Sequence, residues 1–439
     1  MSGLDRRAFV AGCGSLVATA SLVQAEKKPP RFARATDGDD RFEPNWNERL
    51  TLTVGQKTGD LRGSSDKVIQ AAVDYVARLG GGTVKILPGQ YTFRNSVHLR
   101  SGMRIVGSGA DTILTKGPSE RVPLVADSDW YDQEITLSKK TRFRVGDGIV
   151  LQGKNPHNGS QTVIKRTLIA KSGNRYKLDK GLRKNLWLTG KPTCASLFPL
   201  LTSERTQNVI IENLALDGNR KNNENFNGNY GGCIFLQDCR RYQIRKVIAR
   251  NYNGDGISFQ ICHDVHVVDC HSHDNADLGV HPGSGSQRPK ILHCKIERNT
   301  IGLFWCWGVK FGLAEKNHIS KNRNYGISIG HNDTDNVMRN NDVYDSGKVG
   351  ILFRNDTRGK DFWANRNLIE NNRIINSGPA KGIAIDVQGK TRDVKIIGNV
   401  LRENRAPMKR VAIRISKLAK GIELKNNKMA GFSQQVVKG

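Results

Sequence analysis

The chain has 439 residues, and its 69 Lys and Arg against 41 Asp and Glu give a formal charge of +28 at pH 7. The basic residues are spread along the chain, so the excess acts as a general field that favours encounter with polyanions. No zinc-finger, RNP or helix-turn-helix pattern is present, which excludes the common classes of nucleic-acid-binding domain. We therefore expect an anionic polymer other than nucleic acid as the partner.

Residues 1–25 have the composition of an export signal. Arg6 and Arg7 precede an apolar segment, and Val23 and Ala25 stand where a signal peptidase needs small side chains. The segment is too short and too interrupted by glycine to remain as a membrane-spanning helix. The paired arginines resemble the Tat signal of proteins that are exported folded. A periplasmic or extracellular location is therefore predicted, and it favours an anionic polysaccharide as the partner.

Cys13 offers a second interpretation of this segment, because the sequence that ends there resembles a lipoprotein cleavage box. Hardly any apolar sequence separates this box from Arg7, so lipid anchoring at Cys13 is the less favoured alternative. Of the eight cysteines, seven remain after cleavage at Ala25, and an odd number argues against a complete disulfide framework. Residues 26–47 are typical of a linker, and one β domain is expected over 48–439.

A capping element is predicted at the start of the domain. Residues 67–79 have helical spacing, with Ser65 or Asp66 as the N-cap and three glycines as the stop. Two strands follow around Pro88-Gly89. This order resembles the amino-terminal cap of secreted β-helix polysaccharide enzymes, which covers the open end of a solenoid. The helix face expected to be buried comprises Val68, Ala71, Ala72, Tyr75 and Leu79.

A small β insertion is predicted from about residue 122 to residue 186. Residues 143–151, 161–164 and 176–179 alternate apolar and polar side chains, as strands with one buried face do. The regular repeat of the later part of the chain is absent from these residues and begins near Val209. We expect one continuous solenoid with an insertion, and not two independent domains.

The later part of the chain is a repeat whose first five steps are 23 or 24 residues long. Apolar residues alternate after each repeated position, which predicts short strands, and no helical pattern separates them. About 23 residues suit three short strands per coil, stacked at roughly 4.8 Å. The pattern predicts an all-β parallel β-helix solenoid, and its resemblance to pectate-lyase-like proteins implies a right-handed one. The repeated positions are Cys233, Gly256, Gly279, Gly302, Gly326, Gly350 and Gly382.

A second column of residues follows the first at one place in each coil. A buried amide at this place can bond to its neighbours above and below and satisfy the backbone of the turn. Cysteines are small enough to replace Asn there, and we expect buried thiols. The column comprises Cys270, Cys294, Asn317, Asn341, Asn372, Asn399 and Asn427.

Outward side chains on successive strands of such a solenoid form a long surface for an extended polymer. Phe304 interrupts the polar pattern of this surface, and an aromatic side chain beside carboxylates suits the stacking of a sugar ring. Trp305 is expected to point inward. The side chains predicted to bind substrate are Gln260, Phe304, Trp307, Tyr325 and His331.

One set of motifs resembles polygalacturonase-type glycoside hydrolases. Asn-Gly-Asp255-Gly resembles their Asn-Thr-Asp-Gly, and Ala-Asp277-Leu-Gly-Val stands where they have Gly-Asp-Asp-Cys-Ile. Tyr325-Gly-Ile-Ser-Ile-Gly resembles their His-Gly-Ile-Ser-Ile-Gly. The resemblance implies hydrolysis with Asp255 and Asp277 as acid and base. Leu278, Tyr325 and Arg354 depart from the Asp, His and Lys of that family.

A second resemblance is to mannuronan epimerases and alginate lyases. Leu-Gly279-Val-His281-Pro282-Gly resembles their Tyr-Gly-Phe-Asp-Pro-His, although only the Gly and the Pro match. A lyase or epimerase on this chain would use His281 as the base and Arg354 to neutralise the carboxylate beside the abstracted proton. The family's catalytic Tyr, Asp, His and Lys are replaced here by Leu278, His281, Gly283 and Ser258.

A third class is a β-helix without catalysis that binds glycans at a surface. The sequence ranks polysaccharide hydrolysis first, elimination or epimerisation second and binding alone third. No cofactor and no metal site are predicted, because most of the histidines His266, His271, His273, His281 and His293 fall on different strands or turns. We expect a monomer without an integral membrane segment.

Overall fold

The chain winds its strands into a right-handed parallel β-helix; the repeat predicts the solenoid, and the resemblance to pectate-lyase-like proteins predicts its hand. The computed structural model describes residues 48–439. The predicted export signal (1–25), the linker (26–47) and Cys13 lie outside the described residues. Within the described part, no helix is long and apolar enough to cross a membrane.

Sheet 1 carries one strand from each coil and has eleven strands in parallel register. The side chains of each strand alternate between the solenoid interior and the outer face. Its strands are Val97–His98, Leu201–Glu204, Ile234–Gln237, Ile257–Gln260, Leu278–Gly283, Ile301–Phe304, Tyr325–Ile329, Val349–Phe353, Ile383–Val387, Val411–Ile415 and Gln434–Lys438.

Sheet 2 forms the other walls of the solenoid and has 21 strands. Its early strands bend at a left-handed residue, Asn213 in one coil and Lys246 in the next, and its later strands are split at this bend. The strands are Thr51–Gly55, Leu61–Arg62, Gly82–Ile86, Gly89–Phe93, Met103–Lys116, Gln207–Asp217, Arg240–Arg250, His263–Val268, His271–His273, Lys290–Leu292, Lys295–Glu297, Leu313–Glu315, His318–Ser320, Val337–Arg339, Asp342–Tyr344, Leu368–Glu370, Arg373–Ile375, Lys395–Ile397, Val400–Arg402, Glu423–Lys425 and Lys428–Ala430.

The predicted glycine column is confirmed from Gly256 to Gly350, because the strand registers place these residues opposite one another. A Cβ at Gly279 would lie 2.7 Å from the carbonyl oxygen of Gly302, so no larger residue fits there. The last member of the column was predicted wrongly. Val349 pairs with Ile383 and Ile351 pairs with Ile385, so Ala384 and not Gly382 stands opposite Gly350. The loop before this strand is longer than the repeat implies.

The predicted asparagine ladder is also confirmed. The backbone N–H of Asn317 donates to Oδ1 of Asn341 at 3.0 Å, and the N–H of Asn341 donates to Oδ1 of Asn372 at 3.0 Å. The ladder continues to Asn399 and Asn427. A second ladder, which the sequence analysis did not identify, joins Asn275, Asn299 and Asn322 in the same way. The seven cysteines of the described residues are free, and those of both predicted columns are buried.

The capping helix spans Asp66–Arg78 and ends before Gly80, whose φ is +80°. The predicted buried face of this helix was wrong, because Tyr75 and Leu79 are 55% and 58% exposed. A stripe with the spacing i, i+3, i+4 and i+7 packs on the core instead. The stripe comprises Ile69, Ala72, Val73 and Val76.

The insertion is a six-stranded sheet with antiparallel pairing and a hydrophobic core of its own. It begins and ends at neighbouring points of the solenoid, because the N–H of Ser196 donates to the carbonyl of Glu120 at 3.0 Å. Two short 3-10 helices, Leu188–Gly190 and Arg220–Asn222, lie at its end and in a later turn. Its strands are Arg121–Pro123, Glu134–Thr136, Gly148–Lys154, Gln161–Ser172, Arg175–Leu178 and Thr193–Ala195.

Candidate functional site

The outer face of sheet 1 brings three of the nine predicted site residues, Gln260, His281 and Phe304, into two parallel columns. Register pairs Ser258 with His281, and it places Phe304 next to His281 on the following coil. The first column comprises Thr202, Phe235, Ser258, His281, Phe304, Ser328 and Leu352. The second comprises Glu204, Gln237, Gln260, Gly283 and Cys306.

His281 and Asp255 form a buried pair at the centre of this face. Nδ1 of His281 lies 2.7 Å from Oδ2 of Asp255, and the two residues are 3% and 0% exposed. The backbone N–H of Leu278 donates to Oδ1 of Asp255 at 3.1 Å. Ser258 Oγ lies 3.3 Å from the same ring nitrogen. Asp255 therefore fixes the orientation of the imidazole ring.

A loop from residue 226 to residue 231 covers the pair. Ser258 Oγ donates to the carbonyl of Gly228 at 2.7 Å. A Cβ at Gly228 would lie 1.7 Å from Oδ2 of Asp255, so only glycine allows the loop to approach this closely. The loop thus explains why Asp255 is buried on a face that the sequence predicts to be open.

The second ring nitrogen of His281 has no partner. Nε2 is buried and makes no hydrogen bond within the described part of the chain. Burial lowers the pKa of His281, but the hydrogen bond to Asp255 and the neighbouring Cys306 outweigh it and raise the pKa to about 9. The ring is therefore protonated at neutral pH, and it becomes a base only as the pH rises through about 9.

Arg354 reaches back along the outer face to the coil of Phe304. Its Nη1 donates to Ser328 Oγ at 2.9 Å and its Nη2 to the carbonyl of Trp305 at 3.0 Å. The guanidinium carbon lies 4.3 Å from the centroid of the Phe304 ring. A Cβ at Gly330 would lie 2.5 Å from Nη2, so this glycine provides the path. Trp305 itself is fully buried, as the sequence predicts.

Phe304 stands between the histidine and the arginine. Its ring centroid lies 5.3 Å from that of His281, in an edge-to-face arrangement. Arg354 has a distant acidic neighbour in Asp333, whose Oδ2 is 3.7 Å from Nη2. Burial raises the pKa of Asp333 to about 6. Nε of Arg354 is buried and makes no hydrogen bond within the described residues, although Asp356 Oδ2 lies 3.9 Å from it, so the guanidinium retains donor capacity.

Asp277 lies apart from the His281 pair. It is half-buried in the turn before strand Leu278–Gly283, and Asn225 Nδ2 donates to its Oδ2 at 2.9 Å. Burial raises the pKa of Asp255, and the charge of Asp277 adds to this effect. The two carboxylates are thus electrostatic neighbours, but each is held by different partners.

The other predicted contact residues divide into two groups. Gln260 is buried, and its Nε2 donates to Ser258 Oγ at 3.3 Å. Tyr325 packs on an apolar cluster formed by Val349, Leu352 and Ile383. Trp307 and His331 stack on each other with ring centroids 4.2 Å apart, and Trp307 is 41% exposed. Trp307 in this pair is therefore a more exposed aromatic side chain than Tyr325, which is half-buried.

A cleft of about 560 Å³ lies between the insertion and the first coils. The cleft is not predictable from the sequence, because it depends on how the insertion folds over sheet 1. The one sequence feature that indicates the cleft is the group of basic residues Lys180, Arg183 and Lys184. Its floor contains Thr202 and Phe235, which belong to the column of His281, and Gln237, which belongs to the column of Gln260. In the described residues, no cluster of His, Cys, Asp and Glu has the geometry of a metal site.

Comparisons with known proteins agree with this fold. The family model for a right-handed beta helix region matches residues 213–362. The A-module of the mannuronan C-5 epimerase AlgE4 from Azotobacter vinelandii is 14% identical with a TM-score of 0.50, over 87% of this chain and 97% of that one. PfbA, a surface adhesin of Streptococcus pneumoniae, is 12% identical with a TM-score of 0.52, over 85% and 96%. No curated protein sequence matches the chain.

Proposed function

We propose that this right-handed parallel β-helix acts on an acidic polysaccharide by removing the proton beside a sugar carboxylate. The observation that carries the proposal is the buried His281, whose Nδ1 is fixed by Asp255 while its Nε2 makes no hydrogen bond to any part of residues 48–439. A histidine held in this way is oriented for proton transfer from one nitrogen. Arg354 supplies a cation on the same face.

The residues have distinct roles in this reaction. His281 takes the proton from the carbon beside the carboxylate, and negative charge then develops on that carboxylate. Arg354 stabilises this charge through its guanidinium. In elimination the electron pair forms a C=C bond, the glycosidic C–O bond breaks, and the leaving oxygen takes up the proton that His281 removed. In epimerisation the C–O bond stays intact and water supplies a proton to the opposite face of the carbanion, while His281 passes its proton to solvent. The loop that contains Gly228 has to move for substrate to reach His281.

The substrate class rests on charge. The chain carries +28, and the cleft beside the insertion is lined by cations. The likeness to a mannuronan epimerase module supports the fold alone, but that enzyme is named for a polymer of this chemical class. Export through residues 1–25 would bring the protein to such polymers.

Hydrolysis by Asp255 and Asp277, which the sequence ranks first, is the competing proposal. Both oxygens of Asp255 have partners, the N–H of Leu278 and Nδ1 of His281, which makes Asp255 a positioning residue for His281 in this arrangement. A general acid or base must come within hydrogen-bond reach of the substrate. We therefore place proton abstraction ahead of hydrolysis.

A substrate screen tests the proposal. Purified protein is incubated with pectate, alginate, sulfated glycans and neutral glycans at a series of pH values from 6 to 10, a range that includes the pKa of His281 at about 9. Ultraviolet absorbance reports the unsaturated product of elimination, proton exchange into the polymer reports epimerisation, and reducing ends without absorbance report hydrolysis. We expect the first or the second, with a rate that rises with pH.

Two variants sharpen the test. His281→Asn keeps a side-chain N–H for Asp255 but removes the second nitrogen, and we expect it to abolish turnover. His318→Asn is the matched control, because His318 is an exposed histidine of sheet 2. Hydrolysis that survives in His281→Asn and disappears in Asp277→Asn would refute proton abstraction in favour of the carboxylate pair. Binding without turnover on any polymer would identify a glycan-binding protein.

A further inference from the structure

The cleft between the insertion and the first coils, which we term the insertion cleft, has a strongly cationic lining. Its basic side chains come from the solenoid and from two segments of the insertion, and only Asp179 and Glu204 oppose them. Burial lowers the pKa of His98, so this residue adds no charge at neutral pH. The basic lining residues are His98, Arg100, Lys165, Arg166, Lys180, Arg183, Lys184 and Arg205.

These cations differ in how far the protein already uses them. Arg166 donates to the carbonyls of Lys180 and Leu182, so its guanidinium holds the insertion together. Arg205 lies 3.7 Å from Asp238. Lys180 and Lys184 are exposed and form no ion pair within the described residues. The charges of these two lysines are therefore available to a ligand.

Lys165 occupies the inner wall of the insertion cleft. Its Nζ donates to the carbonyl of Tyr230 at 3.1 Å and lies 4.0 Å from the centroid of the Phe235 ring. Burial lowers the pKa of Lys165 to about 8, and the charge of Glu204 opposes this only in part. A half-buried ammonium without a bonded carboxylate, in a cavity lined by further cations, gains from an anion that enters.

The insertion cleft is aligned with the His281 site. Thr202, Phe235, Ser258 and His281 follow one another on successive strands. Three coils at 4.7–4.9 Å separate the cleft floor at Thr202 from His281, or about 14 Å. An extended polymer that follows the outer face of sheet 1 reaches both places.

We propose that the insertion cleft binds an acidic sugar residue, through its carboxylate or sulfate group, of the same polymer whose reactive unit lies at His281. This inference rests on the proposed function, because it takes the acidic polymer proposed there as the ligand and places a second acidic unit of that polymer in the insertion cleft. Lys180 and Lys184 attract the anion at the mouth, and Lys165 contacts it inside. Lys165 also bonds to the loop that covers Asp255, so an anion that draws Nζ away from Tyr230 loosens that cover.

Calorimetric binding tests this site without requiring turnover. The probes are oligogalacturonate for a carboxylate, a heparin oligosaccharide for a sulfate, neutral dextran and duplex DNA. The double variant Lys180→Ala/Lys184→Ala is compared with Lys395→Ala/Lys428→Ala, which removes the same charge from sheet 2. We expect the cleft variant to weaken binding of the acidic sugar by roughly five- to tenfold, and the control by less than about twofold.

The number of protons taken up on binding provides a second measurement. A Lys165 that only supports the structure would not produce this proton uptake. An anion beside Lys165 raises its pKa above about 8, so binding at pH 8 takes up protons. The heat of binding then depends on the ionisation enthalpy of the buffer. Lys165→Arg keeps the positive charge but stays protonated throughout. We expect the buffer dependence to vanish in Lys165→Arg while binding persists.

Each outcome of the calorimetric measurements supports or contradicts one statement of the proposal. If no acidic probe binds, both the inference and the acidic substrate of the proposed function are wrong. If acidic sugars bind equally to the wild type and to Lys180→Ala/Lys184→Ala, only the assignment to the insertion cleft is wrong. DNA that binds through Lys180 and Lys184 more tightly than either oligosaccharide would overturn the sugar as ligand. The preference between oligogalacturonate and heparin identifies the anionic group.

Discussion

Replacement of Asn341 by Leu tests whether the asparagine ladder stabilises the solenoid. The Asn341 side chain makes four hydrogen bonds: its Oδ1 accepts from N and Nδ2 of Asn317, and its Nδ2 donates to the carbonyl of Ala314 and to Oδ1 of Asn372. Leu fills a similar volume but replaces none of them.

The magnitude follows from the groups left unpaired. Asn341→Leu removes a hydrogen-bond partner from each of two buried backbone groups, the N–H of Asn317 and the carbonyl of Ala314. An unsatisfied buried group costs about 1–3 kcal/mol. From the sequence alone we expect about 1–3 kcal/mol, and the two groups left unpaired in the structure raise this expectation to about 2–6 kcal/mol.

Chemical and thermal unfolding of Asn341→Leu and of Asn404→Leu, an exposed control, provide the measurement. Because a solenoid unfolds by neighbouring units, the transition should be followed both by circular dichroism and by hydrogen exchange around residue 341. We expect a lower midpoint and faster exchange in the coils of Asn317 and Asn372. A midpoint equal to that of the wild type would show that the ladder does not contribute to stability.

The remaining predictions concern the His281 face. Gly228→Ala should displace the covering loop and lower the melting temperature, because its Cβ would overlap Asp255; an unchanged structure and stability would contradict this. The pKa of His281 is raised to about 9 in the folded state, so its contribution to stability should be full below pH 6.5 and should be lost as the pH rises through about 9. His281→Asn should lack this component of the pH profile, and a profile identical to the wild type would refute it. Cys306, which is half-exposed while the other described cysteines are buried, should react first with iodoacetamide, as mass spectrometry can show.

The fold was predictable because each coil repeats the same physical requirement. A glycine is needed where the Cβ would meet the next coil, and an amide is needed where the turn leaves backbone groups unpaired. Both columns were therefore visible in the sequence. The error at Gly382 arose where a longer loop changes the spacing, because register follows the hydrogen bonds of the strands and not residue counts.

The site was less predictable. The sequence indicated that Asp255 and His281 lie on neighbouring coils, but their contact depends on a loop that comes from an earlier coil and closes over them. Spacing carries no information on such a cover. The insertion cleft could not be predicted for the same reason, since its walls come from residues 95–100, 148–184 and 197–237, which meet only in the folded chain.

The insertion also has an evolutionary consequence. Its two connections to the solenoid meet at the hydrogen bond between Ser196 and Glu120, and its apolar core is separate from that of the coils. A segment attached in this way can be exchanged or remodelled without shifting the register of any strand, since domain insertions are tolerated where the ends lie close together. Under the proposed function, exchange of this one module would alter which polymer the protein prefers while leaving the proposed chemistry at His281 unchanged.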